Sequence, residues 1–145
     1  MEKPRVLVHR LAGNKKALDA CRLIEKLYLA GERVVVWFAD EGKAAIFDTY
    51  LWTFSDTSFV PHKVALEGAK VSEPVALVIG RLHNPNEASQ LVVMERPKNL
   101  KEAAAFARVH DLWLASEDAR QEWEKAGFEV EEVRGVEGSP GQRPK

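Results

Sequence analysis

The chain has 145 residues, 46% of them hydrophobic, a length and composition that suit one domain with a full core. It carries 21 Lys and Arg against 22 Asp and Glu, a formal net charge of −1, which argues against a protein that grips duplex nucleic acid by itself through a basic excess. A single cysteine, Cys21, excludes an intramolecular disulfide and a cysteine-based metal site.

Residues 5–9, RVLVH, are β-branched and apolar and predict a first strand. Over 15–30 the polar Lys15, Asp19, Arg22 and Lys26 recur at helical spacing, while Ala17, Cys21, Ile24 and Tyr28 line another face. Gly31 marks the end of that helix. Residues 33–39, RVVVWFA, are nearly all apolar, the sign of a strand covered on both faces. Asp40 suits the N-cap of a second helix reaching about Trp52. Residues 53–73 show neither period and read as a long structureless stretch, of the kind that is often functional. Strand character returns at 75–79, closed by Gly80, and again at 91–94. Asn99 with Glu102 resembles a capping box opening a helix to about Arg108, and a further strand falls within 109–115. Ser116 caps a last helix, with Glu117 and Asp118 in its first turn, where carboxylates suit the helix dipole. Gly127 ends it, and 128–133 form a closing strand. Residues 134–145 are Gly, Pro and mostly polar, the composition of a flexible tail. Strands alternate with helices almost throughout. That predicts a three-layer α/β domain over 1–133, its mostly parallel central sheet covered by helices on both faces.

The first strand-to-helix turn, residues 11–16, holds one glycine and matches neither a dinucleotide fingerprint nor a phosphate loop. The topology expected is therefore Rossmann-like without a nucleotide motif, and no cofactor is expected. His9, His62, His83 and His110 have no metal-ligand spacing, so no metal is expected either. Cys21, on an apolar helix face, reads as a small core residue. Ser55, Ser58 and Ser72 lack a GxSxG elbow, and no catalytic residue is assigned. The N-terminal MEKPR lacks the apolar run of a signal peptide, and no segment approaches the roughly 18 apolar residues of a membrane span. A cytoplasmic location, with no membrane partner, is expected.

The informative stretch is 51–62, LWTFSDTSFVPH, which places Trp52, Phe54 and Phe59 beside Pro61 in a region without regular period. Such aromatics either turn inward to pin the loop or face outward as anchors for a partner. A split, with Trp52 inward and Phe59 outward, is equally open.

Together with the strand and acidic cap at 33–40, this stretch resembles the chi subunit family of the bacterial replicative DNA polymerase III. That family's pattern is a strand, an acidic cap, a helix ending in Leu-Trp, and a loop reading Ser-Phe-Val/Leu-Pro-His. Residues 20–26, 31–34, Glu67-Gly68 and the 126–130 run AGFEV fit as well. The resemblance implies a non-catalytic accessory subunit. It would link the clamp loader, through the small psi subunit, to the acidic, flexible C-terminal tail of single-stranded-DNA-binding protein, and contact DNA only indirectly. It implies that Trp52, Phe54, Phe59, Val60, Pro61 and His62 meet the psi-type partner. It also implies a tail site near the last helix, with Arg120 and Lys125 as cations and Trp113 and Trp123 as apolar walls or core residues. Here the sequence departs from the family pattern of an Arg and a Tyr-Lys pair. The matching positions, counted back from Gly127, hold Glu117, Arg120 and Gln121.

Two other functions compete with the adaptor. One is a small α/β domain that binds a nucleotide or single-stranded nucleic acid in the crevice at the sheet's carboxyl ends; the other is an enzyme with an unrecognised site. Affinity for nucleotide or oligonucleotide that falls with salt would mark the first of these.

Overall fold

Five consecutive apolar residues, Val34–Phe38, form a strand whose side chains are all buried. An apolar run of this kind needs cover on both faces, and the sheet provides it. The computed structural model describes residues 3–133. Its strands are β1 (Arg5–Arg10), β2 (Val34–Phe38), β3 (His62–Ala65), β4 (Val75–Ile79), β5 (Gln90–Val93), β6 (Arg108–Trp113) and β7 (Glu129–Val133). The α-helices are α1 (Lys16–Leu29), α2 (Glu41–Thr53) and α3 (Arg120–Lys125), and a 3-10 helix spans Leu100–Ala105. All seven strands join one sheet in the order β3-β4-β2-β5-β6-β1-β7, and each neighbouring pair is parallel.

Strand alternation divides the core into two layers. Val34, Val36 and Phe38 meet Ala20, Cys21 and Ile24 of α1 and Ala44, Phe47 and Leu51 of α2. Val35 and Trp37 face the other way, in the layer that holds Leu100, Ala103, Trp113, Trp123 and Phe128. Helices thus cover both faces, as the alternation of elements predicts. Asp40 caps α2: its Oδ1 accepts the Lys43 N–H at 2.9 Å. Gly31 takes φ +86° just past α1, a conformation that a Cβ disfavours.

Three expectations are corrected. The stretch 53–73 is not structureless, because His62–Ala65 is an edge strand paired in register with Val75–Val78. It has four residues and too few alternations to show a period. Asn99 makes no side-chain cap, and the expected helix is a 3-10 helix that stops at Ala105. Its buried residues, Leu100 and Ala103, are three apart, which is the 3-10 repeat. Ser116 is exposed and starts no helix; α3 begins only at Arg120. Glu117 lies in the preceding turn instead, where its Oε1 accepts the Leu114 N–H at 2.7 Å. The tail expected over 134–145 lies outside the described residues, as do positions 1 and 2.

Candidate partner-binding surface

The end of α2 alternates its allegiance. Leu51 is buried at 2% exposure and anchors the last turn, while the next residue, Trp52, is 44% exposed. The chain then bends, with the Thr57 N–H donating to Ser55 Oγ at 3.2 Å. Val60 plunges into the core at 1% exposure and leaves Phe59 outside at 65%. His62 opens β3 and is buried beneath them. Its Nδ1–H donates to the Val60 carbonyl at 2.8 Å, and its Nε2 lies 3.0 Å from Asp48 Oδ1 on α2. The Trp52 ring sits over the imidazole, centroids 4.0 Å apart, and the Phe59 ring lies 5.6 Å from Trp52.

Of the expected loop residues, the structure therefore joins Trp52, Phe59 and His62 in one surface cluster. Val60 faces the core, Phe54 packs partly against the layer of α1 and α2, and Pro61 is half-buried. Trp52 does not turn fully inward; it lies on the surface with one face on His62. Asp48 was not singled out in the sequence, although it stands four residues before Trp52 on the same helix. Two large aromatics side by side on a braced loop make an apolar platform, each worth roughly 1.5–3 kcal/mol when a partner covers it.

The second group of expected residues separates. Trp113 and Trp123 are fully buried, and both indole N–H groups donate to Asp111 Oδ2 at 2.9 Å. Neither offers a wall to a ligand at the surface; of the two readings open in the sequence, core packing is the one observed. Burial pushes the Asp111 carboxyl up, against the pull of the Arg96 guanidinium 3.5 Å away and the two indoles. Arg120 is half-exposed and engaged with Glu132 at 3.6 Å and Glu124 at 3.9 Å. Lys125 lines a separate groove with Lys98 and Lys101. Glu117 is not a free negative charge: Lys16 Nζ sits 2.7 Å away and Arg96 Nη2 3.7 Å. Burial raises its carboxyl, but Lys16, the Leu114 N–H and Arg96 outweigh that and hold it below the usual range.

A cleft of about 450 Å³ opens where β2 and β5 end, lined among others by Trp37, Phe38, Tyr50 and Met94. Doubly wound sheets often take ligands at such a switch point. Here its lysines are already matched, Lys43 to Glu95 at 2.9 Å and Lys16 to Glu117 at 2.7 Å. A phosphate entering the cleft meets carboxylates as well as ammonium groups. Burial pushes the Cys21 thiol up to about 12, which leaves it unreactive. Among the described residues no cluster of His, Cys, Asp and Glu could hold a metal, and no helix is long and apolar enough to cross a membrane.

Fold and surface together define the class: an all-parallel, doubly wound α/β domain with an aromatic platform at one edge of its sheet. The family model for the DNA polymerase III chi subunit, HolC, matches residues 4–131, and the chain belongs to that family. It is similar to DNA polymerase III subunit chi of Pseudomonas aeruginosa, 43% identical over 61 residues, 42% of each chain. It is 33% identical over 73 residues to the probable DNA polymerase III subunit chi of Rickettsia prowazekii, covering 50% of this chain and 44% of the relative. The Escherichia coli subunit chi is 27% identical over 115 residues, covering 79% of this chain and 77% of the relative. The match thus spans less than half the length of the first two relatives.

Proposed function

We propose that the chain is a non-catalytic accessory subunit of the bacterial DNA polymerase III holoenzyme, working in the cytoplasm during DNA replication. It joins the clamp loader, through a psi-type partner, to the acidic tail of single-stranded-DNA-binding protein, and reaches DNA only through those proteins. Membership of the chi family supports this reading. The observation that carries it is the exposed Trp52–Phe59 pair, braced from below by His62 and Val60. Exposed aromatics on a fixed loop supply binding energy without a large ordering cost. Arg120 and Lys125 are the cations that the sequence resemblance offers to the tail.

The test is titration calorimetry against the psi-type clamp-loader subunit of the same organism. Phe59→Ala should weaken the complex by about 2 kcal/mol, the size of an aromatic hot spot, with an unchanged circular dichroism spectrum. Equal affinity in mutant and parent would make the platform a structural feature and remove the main support for the reading.

A further inference from the structure

The positive charge of this chain is mostly spoken for. Arg5, Arg10, Lys16, Arg22, Lys43, Arg96 and Arg120 all reach carboxylates. Lys98, Lys101 and Lys125 are exposed and make no ion pair among the described residues, yet they converge on one groove of about 490 Å³ between the 3-10 helix and α3. The convergence follows from packing. Pro97 and Leu100 are buried, which turns Lys98 and Lys101 outward, and the burial of Trp123 directs Lys125 of the same helix toward them. Arg96 lies at the floor and is taken up by Asp111, Glu117 and Glu122. Glu122, a carboxylate in the lining, is thereby partly satisfied by Arg96 at 3.9 Å. In a chain of net charge −1, the groove is a local positive excess.

We propose that this groove is a docking site for a carboxylate-rich peptide segment, held by Lys98, Lys101 and Lys125. The proposal rests on the protein-binding reading above for one point, that the occupant is a peptide. The lining supports the same choice. Single-stranded nucleic acid binds on aromatic platforms where bases stack, and the apolar members here are Pro97, Leu100 and Ala126. Flexible ammonium groups on aliphatic stems suit carboxylates spaced along an extended segment, and the stems pack on its backbone. The site differs from the one implied by family resemblance, since Arg120 faces Glu132 and takes no part in the lining.

The experiment is fluorescence anisotropy of a labelled peptide of Asp and Gly ending in Phe, with the full chain, at low and moderate salt. Binding is expected at low salt and should weaken as salt rises. Lys98→Glu/Lys101→Glu and, separately, Lys125→Glu should each weaken it about tenfold. Arg81→Glu, an exposed charge reversal elsewhere, should change it less than about twofold. Absence of peptide binding at low salt overturns the proposal, as does undiminished binding by both groove variants. Loss on Arg120→Glu with the groove variants unaffected moves the site to the start of α3 and overturns it too. Tighter binding of an oligothymidine, lost in the same groove variants, replaces the peptide with nucleic acid. The groove variants are also titrated against the psi-type partner: retained affinity there leaves the adaptor reading standing whatever happens at the groove.

Discussion

Trp123 donates its indole N–H to Asp111 Oδ2 at 2.9 Å, tying α3 to the sheet from within the core. Trp113 donates to the same oxygen, and the Arg96 guanidinium lies 3.5 Å away, so one carboxylate organises three donors where water has no access. Removing a buried charge partner costs more than its net contribution, because the groups left behind stay desolvated. Asp111→Ala should therefore destabilise the fold by about 3–5 kcal/mol in urea unfolding. Asp111→Asn keeps an acceptor and should cost less. Equal losses would mean that the carboxylate only fills space.

A second buried network runs across three neighbouring strands. His110 Nε2–H donates to Gln90 Oε1 at 2.7 Å, which leaves His110 Nδ1 to accept from His9 Nε2–H at 3.0 Å. Burial, assisted by Lys26, lowers His9 to about 4; burial, assisted by His9 and Arg108, lowers His110 to about 3. Unfolded histidine titrates near 6.5, so from pH 6.5 down toward 4 the unfolded chain takes up protons that the folded one refuses. Stability is fully present above pH 6.5 and should fall in that window, by about 1.4 kcal/mol per pH unit for each histidine. Urea unfolding at pH 7 and pH 5 measures it, and His9→Gln should reduce the difference between the two.

Phe59→Ala should leave stability within about 0.5 kcal/mol of the parent, because the ring is 65% exposed and rests mainly on Trp52. Trp52→Ala uncovers His62 and should cost about 1 kcal/mol. In binding to the psi-type partner the two should couple, with a double-mutant cycle giving about 0.5–1.5 kcal/mol. Strict additivity would separate them into independent contacts.

Asp40→Ala removes the cap of α2 and should destabilise by about 1 kcal/mol in thermal or urea unfolding. Asp40→Asn retains an oxygen acceptor and should recover most of that loss. An alanine variant as stable as the parent would show that the first turn of α2 is held by packing alone.

The parallel sheet, α1, α2 and the two-layer core were legible because apolar runs and helical spacing are dictated by burial. Val34–Phe38 is the plainest case: only a strand covered on both faces buries five apolar residues in a row. β3 was missed because an edge strand of four residues has little pattern to display. The start of α3 was misread because Ser116 followed by Glu117 and Asp118 has the local chemistry of a cap, while Glu117 is drawn to Lys16 from far away in sequence. The aromatic loop was legible by composition, but its arrangement was not. Whether Trp52 turns in or out depends on Val60 and His62 packing beneath it, a tertiary contact that spacing does not encode. Lys98, Lys101 and Lys125 carry no motif, and only the fold gathers them.

β3 and β6 stand four steps apart in the sheet. At roughly 4.8 Å per step that is a span of about 19 Å. The aromatic platform precedes β3, and the 3-10 helix bearing the basic groove precedes β6. Two binders seated at these places stand too far apart to compete for the same side chains, and the hydrogen-bonded strands between them set a fixed spacing. Such a spacer turns two modest affinities into one durable attachment: a partner held at one end raises the local concentration of whatever is tethered to it at the other, without either contact being strong. Either contact can then be released singly while the other keeps hold.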